Sequence, residues 1–300
     1  MKAPLKVHLA LFSVSLLYGA TFTIAKQVMP QYVQPNAFIL LRVLVATVLI
    51  FLFHSVFIKQ KVKDKKDIIK FAIGALFGVA FNMLLFFKGL AITSPINGAV
   101  LMMNTPIFVV IFASLYLKEK LTLNKIGGIV IAAVGAILLM GGKNFQFNSN
   151  TVLGDIMVSA NAIIFAFYLV YSKPLMQKYH PLTVTKWNFI FGFLVVLPFG
   201  YSEVLQIQPD IFTPKIWGFI LFVTVGATFL TYVFNAYALS HASSSLVGSY
   251  IYLQPVLATF IALFSGKDTL TWEKLFYILI IFIGVFLVSK KTKVAPSENI

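Results

Sequence analysis

Two prolines lie inside long apolar runs of this chain, and uncharged polar side chains precede each: Asn104 and Thr105 before Pro106, Gln254 before Pro255. A proline within a helix cannot donate a backbone hydrogen bond and leaves the carbonyl four residues earlier unpaired, here those of Met102 and Ile251. In apolar surroundings a freed carbonyl needs a partner in protein or in a wet cavity. Donors and acceptors therefore gather at two helix breaks, which suits hydrogen bonding to a small polar solute; a packing kink capped by the same side chains also satisfies the pattern. Asn82, Asn161 and Asn235 stand in other apolar runs, where an amide either pairs with a neighbouring helix or meets a ligand. Tyr18, Phe22, Tyr168, Trp187, Tyr250 and Tyr252 offer faces for stacking, or serve as packing and interface anchors. Arg42, the only arginine, lies about six residues or roughly 9 Å inside its run. Such a charge points into a bundle, to bind or to cap carbonyls, or snorkels to the surface. Lys88, close to the end of its run, is placed to snorkel.

Residues for covalent or metal chemistry are missing. Of the nine acidic residues only Asp155 falls within an apolar run, near its outer end, so a mid-membrane carboxylate relay for protons is absent. His8, His54, His180 and His241 share no metal-ligand spacing, there is no cysteine, and H-E-x-x-H, G-x-S-x-G and P-loop motifs are lacking. The expectation is a protein without cofactor or metal that is not an enzyme. An intramembrane enzyme and a non-transporting membrane scaffold remain as alternatives; the first lacks a nucleophile and base, and the second would not need polar helix centres.

The elements that hold these residues follow from composition. Hydrophobic residues make up 59% of the chain and charged residues 11%, against about 45–50% and about 25% in soluble domains. A net charge of +15 would suggest a nucleic-acid partner in a soluble protein, but the lysines here cluster between apolar runs, as in loops beside a membrane. The partners expected are therefore the lipid bilayer and a small-molecule substrate, with no nucleic acid. Ten spans are expected: Val7 to Ala25, Ala37 to Phe57, Ile68 to Leu90, Pro95 to Leu117, Ile126 to Gly141, Leu153 to Ser172, Leu182 to Gly200, Ile216 to Leu239, Ser244 to Phe264 and Trp272 to Ser289. The first is read as an uncleaved helix, being longer than a signal-peptide core and followed by no clear cleavage site. With both termini cytoplasmic, 17 lysines fall on the cytoplasmic side and 6 on the other, which sets the orientation. Small residues at Gly74 and Gly78, and at Gly128, Ala132 and Ala136, permit close helix packing either within the monomer or in a homodimer.

A shift of 149 residues gives twelve identities over 49 positions, among them Ser94 on Ser243, Pro106 on Pro255, Lys118 on Lys267, Thr122 on Thr271, Lys125 on Lys274 and Gly135 on Gly284. Two homologous halves follow, 1–142 and 153–290, joined by a linker at 143–152 and trailed by a tail at 291–300. Five spans per half is an odd number, so the second half enters the membrane from the opposite side. The fold expected is an all-α membrane protein of two inverted five-helix repeats, an architecture that recurs in transporters because the halves can exchange conformations around a central site.

Tyr18-Gly19-Ala20-Thr21-Phe22 in the first span, Leu41-Arg42 in the second, Pro106 in the fourth followed by Lys118-Glu119-Lys120-Leu121-Thr122, and Gly284 in the tenth resemble the EamA-type proteins of the drug/metabolite transporter superfamily. The resemblance covers essentially the whole chain. It implies a ten-helix bundle in a bacterial inner membrane that moves metabolites, often outward, through a cavity lined mainly by helices one, three, four, six, eight and nine. The second copy departs from the loop pattern, with Asp268 and Thr269 where the first has Glu119 and Lys120.

Overall fold

The computed structural model describes residues 4–140, 150–264 and 270–289. The tail 291–300, most of the linker 143–152, and Lys267, Asp268 and Thr269 lie outside them. The elements are α1 (Leu5–Val28), α2 (Pro35–Phe53), α3 (Lys65–Ala75), α4 (Phe81–Ile92), α5 (Pro95–Met102), α6 (Thr105–Leu117), α7 (Leu123–Leu139), α8 (Val152–Tyr171), α9 (Lys173–Lys178), α10 (Pro181–Val204), α11 (Pro214–Leu221), α12 (Thr231–His241), α13 (Ser244–Ser249), α14 (Leu253–Phe264) and α15 (Trp272–Ser289). Short π-helical stretches continue α2 (His54–Ile58), join α3 to α4 (Leu76–Ala80) and join α11 to α12 (Phe222–Leu230), while a 3₁₀ turn (Tyr250–Tyr252) links α13 to α14. Grouped in this way the helices form ten spans. Among the described residues, nine are helices of at least 18 residues apolar enough to cross a membrane, and α7, at 17 residues, is the shorter fifth.

Several helices begin before the expected boundaries. Pro35, Pro181 and Pro214 occupy the first turns of α2, α10 and α11, where an absent N–H costs nothing. The third span starts at Lys65 rather than Ile68 because the Asp64 side chain accepts from Lys66 N at 2.9 Å. The sixth span does not stop at Ser172 but continues into α9.

Repeat identities reappear as matching caps. The Ser94 and Ser243 hydroxyls accept from Asn97 N and Leu246 N at 3.0 and 3.2 Å, starting the fourth and ninth spans. Thr122 and Thr271 accept from Lys125 N and Lys274 N, each at 3.3 Å, starting the fifth and tenth. Such a side chain satisfies one of the donors that a helix start leaves free. The π-helical stretches of the third and eighth spans correspond in the same way. In both halves the proline-associated break falls a turn ahead of the proline itself. The chain turns at Met103 and Asn104, whose amides donate to Val100 and Leu101 carbonyls, and again at Tyr250–Tyr252.

Leu115, Phe264 and Trp272 are at least three-quarters exposed, as expected where the surrounding medium is lipid. Inside, α1 packs on α12 and α14, α2 on α10, α4 and α6 on α8, and α7 on α15. The last pair forms a separate apolar cluster with the ninth span. It settles how one small-residue stripe is used. A side chain added at Gly128 would meet the Gly284 carbonyl at 2.6 Å, and one at Gly284 the Ala132 nitrogen at 2.5 Å, so the two backbones touch within one chain.

Gly128→Ala should therefore lower the melting temperature, by overpacking worth about 1–3 kcal/mol. Gly127→Ala, one residue away with open space around it, should leave the melting temperature unchanged or slightly raised. Thermal unfolding of both variants in one detergent checks this, and equal losses would mean the close approach is not what holds the pair.

Candidate functional site

Near the middle of the bundle lies a cavity of about 60 Å³, room for roughly four to six waters at about 10–15 Å³ each. Tyr18, Thr21 and Phe22 line it from the first span, Arg42 from the second, and Asn82, Met83, Phe86 and Phe87 from the third. Met102 comes from the fourth span, Asn161 and Phe165 from the sixth, Ala227 and Tyr232 from the eighth, and Ile251 and Gln254 from the ninth. Both halves thus contribute, and the two residues whose carbonyls precede the prolines by four, Met102 and Ile251, are both on the wall. A narrower continuation runs along α1 past Ser15, Asn235 and Tyr250 and shares Tyr18, Phe165, Ile251 and Gln254 with the main cavity. A third opening, bordered by Gly19, Pro95, Ala99, Pro255 and Ala258, again reaches Gln254.

The wall is built by departures from regular helix. Thr228 sits in the eighth span's π-helical stretch, where its hydroxyl donates to the Val223 carbonyl at 2.7 Å and accepts from Arg42 Nε at 2.9 Å. The Arg42 guanidinium lies 3.8 Å from the Phe87 ring centre, a cation–π contact. Tyr232 donates its hydroxyl to the Gly78 carbonyl in the third span's π-helical stretch. Asn161 donates to the Asn82 carbonyl at 2.7 Å. Gly19 lets α1 lie against the ninth-span backbone, since a side chain there would come within 2.8 Å of the Gln254 carbonyl. The Gln254 side chain is buried and makes no hydrogen bond to any described residue.

Of the residues singled out in the sequence, the structure brings Tyr18, Phe22, Arg42, Asn82, Asn161 and Gln254 together on the main cavity, and Asn235 and Tyr250 on its continuation. Others lie elsewhere. Asn104 is exposed and folds its amide onto the Leu101 carbonyl at 3.1 Å. Thr105 and Pro106 are buried off the wall, the Thr105 hydroxyl without a hydrogen-bond partner among the described residues. Tyr168 packs behind the wall against Gly78, Trp187 stacks on Phe191, and Tyr252 belongs to the α7 and α15 cluster. Phe86, Phe87, Thr228 and Tyr232 went unremarked in the sequence. Nothing in their residue types marks them, because aromatic and threonine side chains are common in membrane helices and a π-helical stretch has no sequence signature.

Side-chain ties cross the bundle toward each face. Toward the face that carries the chain ends, His8 Nδ1 meets the Tyr250 hydroxyl, and Ser15 donates to the Tyr250 carbonyl at 2.8 Å. At that face Glu119, in the loop between α6 and α7, accepts from Ser244 N at 3.2 Å and Ser245 Oγ at 2.8 Å, and pairs with Lys125 and Lys173. One first-half carboxylate thereby grips the start of the ninth span and the bend of the sixth. Burial pushes its pKa up, but Lys173, the Ser245 hydroxyl and Lys125 outweigh burial and hold it below the usual carboxylate value. Toward the opposite face, Phe22 meets Phe86 edge-on, and Phe87 meets Phe38 in the same way. There Thr93 and Asn97 donate to Asp155, Asn36 and the Ala37 amide donate to Glu203, and Lys26 caps the carbonyls of Leu90, Ala91 and Thr93.

A largely apolar cavity with a few buried polar groups, held between two inverted helical halves, is the architecture of a multi-pass membrane transporter. The chain belongs to the EamA-like transporter family, whose profile matches residues 5–141 and 152–290, one copy in each half. It is similar to an uncharacterized transporter of Archaeoglobus fulgidus, 25% identical over 218 residues that cover 72% of this chain and 74% of the relative. It is also similar to the uncharacterized transporter YyaM of Bacillus subtilis, 24% identical over 299 residues that cover 98% of this chain and 97% of the relative. A solved crystal structure shares the fold with a TM-score of 0.74 at 18% identity, covering 94% of this chain and 96% of the other.

Two outcomes are expected from this geometry. Gln254→Leu should weaken solute binding by about 1–3 kcal/mol, roughly five- to 150-fold, with little change in melting temperature, whereas Asn104→Leu should alter neither. Transport and melting measured on the same preparations decide this, and a transport loss confined to Asn104→Leu would move the site. Because the pKa of Glu119 is lowered in the fold, its contribution to stability is present above the unfolded value of about 4.3 and is lost as pH falls through the folded value. The melting-temperature gap between the native chain and Glu119→Gln should be full at neutral pH and narrow in acid; a gap that widens in acid would contradict the tie.

Proposed function

We propose that the protein is a secondary transporter that carries small metabolites across a bacterial inner membrane by alternating access, as an exporter or exchanger. The observation that carries this reading is the central cavity, where Tyr18, Arg42 and Asn82 of one half face Asn161, Tyr232 and Gln254 of the other. Movement of the halves, 1–142 against 153–290, would open one set of end ties while the other stays closed. Glu119 with Ser244 and Ser245 holds one face, and Asp155 with Thr93 holds the other. The excess of lysines on the side of the chain ends supports cytoplasmic termini. The substrate meets Gln254 and the cavity amides rather than a covalent or metal centre.

Energy coupling follows from the charges. The sequence carries no P-loop, and among the described residues no carboxylate lines the cavity. Asp155 sits at the start of α8 against Thr93 and Asn97, away from the wall. Transport is therefore facilitated diffusion or exchange, or is coupled through a group other than Asp or Glu.

Purified protein in liposomes should move a solute from a broad metabolite panel without ATP, and an imposed pH gradient should change the rate only weakly. Failure to move any solute would remove the transporter mechanism proposed here. Strong proton-driven accumulation that is abolished by Asp155→Asn alone would overturn the coupling.

A further inference from the structure

We propose that the solute bound in the central cavity is an anion, a small carboxylate with an apolar or aromatic body, and that Arg42 holds its charged end. The proposal rests on the transporter reading of that cavity and names the class of solute that reading leaves open. Arg42 is the only arginine of the chain, is 3% exposed, and lies on the cavity wall. Its Nε is engaged by Thr228 and its face by Phe87, yet Nη1 has no acceptor among the described residues. Thr228 offers the guanidinium only a neutral oxygen, its hydroxyl hydrogen being directed to Val223. No Asp or Glu lines the cavity, and none of the ion pairs among the described residues includes Arg42. Burying a cation without a counter-charge is costly, and membrane proteins ordinarily pair such a group with a carboxylate or with carbonyls. A hydrogen bond to a neutral hydroxyl and a contact with a ring face offset only part of that cost.

The repeat shows that the position does not require a charge to fold. With Pro35 laid on Pro181, the seventh-span counterpart of Arg42 is Asn188, buried and neutral, packed beside Gly74 and off the cavity wall. The guanidinium is thus particular to one half and to the cavity side. The remaining walls describe the rest of the ligand. Phe22, Phe86, Phe87 and Phe165 offer apolar faces, the adjoining opening of about 160 Å³ that shares Phe22, Ile251 and Gln254 adds room for an apolar body, and the unengaged Gln254 amide can bond one polar substituent. An ammonium group would find no carboxylate on this wall, only neutral oxygens and ring faces, and would share the cavity with the Arg42 charge, so a carboxylate without a fixed cation fits better than the corresponding amino acid.

Three compounds of one shape separate these cases: 3-phenylpropionate, 3-phenylpropionamide and phenylalanine, titrated against the melting temperature of the purified full chain. A ligand of the folded state raises that temperature in proportion to its affinity and concentration. The carboxylate should give a saturable rise of a few degrees, with phenylalanine weaker and the amide without effect. Arg42→Gln should reduce the carboxylate affinity at least about tenfold, by loss of a charge-assisted contact, and Arg42→Lys should keep part of it. The comparison of the three compounds on the unaltered chain stands even where Arg42→Gln fails to fold. An equal response to amide and carboxylate overturns the proposal, as does a carboxylate response that survives in a folded Arg42→Gln, or no response to 3-phenylpropionate, 4-methylpentanoate and benzoate alike. Solute counterflow in liposomes separates the two levels: movement of neutral or cationic solutes at full rate by Arg42→Gln sinks the anion site and leaves the transporter standing, whereas no movement of any solute sinks the transporter reading itself.

Discussion

Hydrocarbon offers backbone amides and carbonyls no partner, and this constraint shapes the rest of the structure. Helices satisfy it along most of the chain. Wherever a helix is interrupted, the freed groups must be turned toward protein or toward a polar space. The interruptions beside the cavity fall at Met103 and Asn104, at Tyr250–Tyr252, and at the π-helical stretches Leu76–Ala80 and Phe222–Leu230. They come in pairs related by the repeat, and residues beside them, including Met102, Asn82, Ala227 and Ile251, line the cavity. The cavity exists because broken helices can be tolerated only where two halves meet and cover the breaks.

Symmetry builds the container, and departures from symmetry give it character. Ser94 and Ser243, or Thr122 and Thr271, perform the same capping work in both halves. Arg42 and Asn188 do not share a role, since one faces the cavity and the other lies against Gly74. The end ties differ too. Glu119 draws four donors at one face, while the opposite face is held by Asp155 with Thr93 and by Glu203 with Asn36. In the alternating-access mechanism proposed above, two nearly equivalent halves held by different ties would open at one face at a time.

Much of the scaffold was legible in one dimension. Span lengths, lysine clusters and the 149-residue repeat need no knowledge of neighbours, and among the repeat identities Ser94 with Ser243 and Thr122 with Thr271 proved to be caps and Gly135 with Gly284 a close-packing position. The depth of Arg42 was legible as well, but its company was not, because helix rotation decides which side chains it meets. Asn104 shows the same limit from the other side. It precedes the proline as the expected pattern requires, yet the chain turns a few residues ahead of Pro106 and leaves Asn104 on the outside of that turn. Gln254, beside the matching proline, faces inward. Tyr232 and Phe87 escaped notice because their types are ordinary in a membrane helix. Their places depend on π-helical stretches and helix packing that no local motif announces.

The central claim is that the cavity around Gln254 and Arg42 is a substrate site reached from both faces of the membrane in turn. The chain has no cysteine, so a single Asn82→Cys variant places one thiol on the cavity wall without background. Its labelling by a membrane-impermeant maleimide, measured separately in right-side-out and inside-out vesicles, tests the claim directly. The account predicts labelling from both sides, slowed in both orientations by a transported solute. Labelling from one side only, or labelling that no transported solute slows, would contradict it.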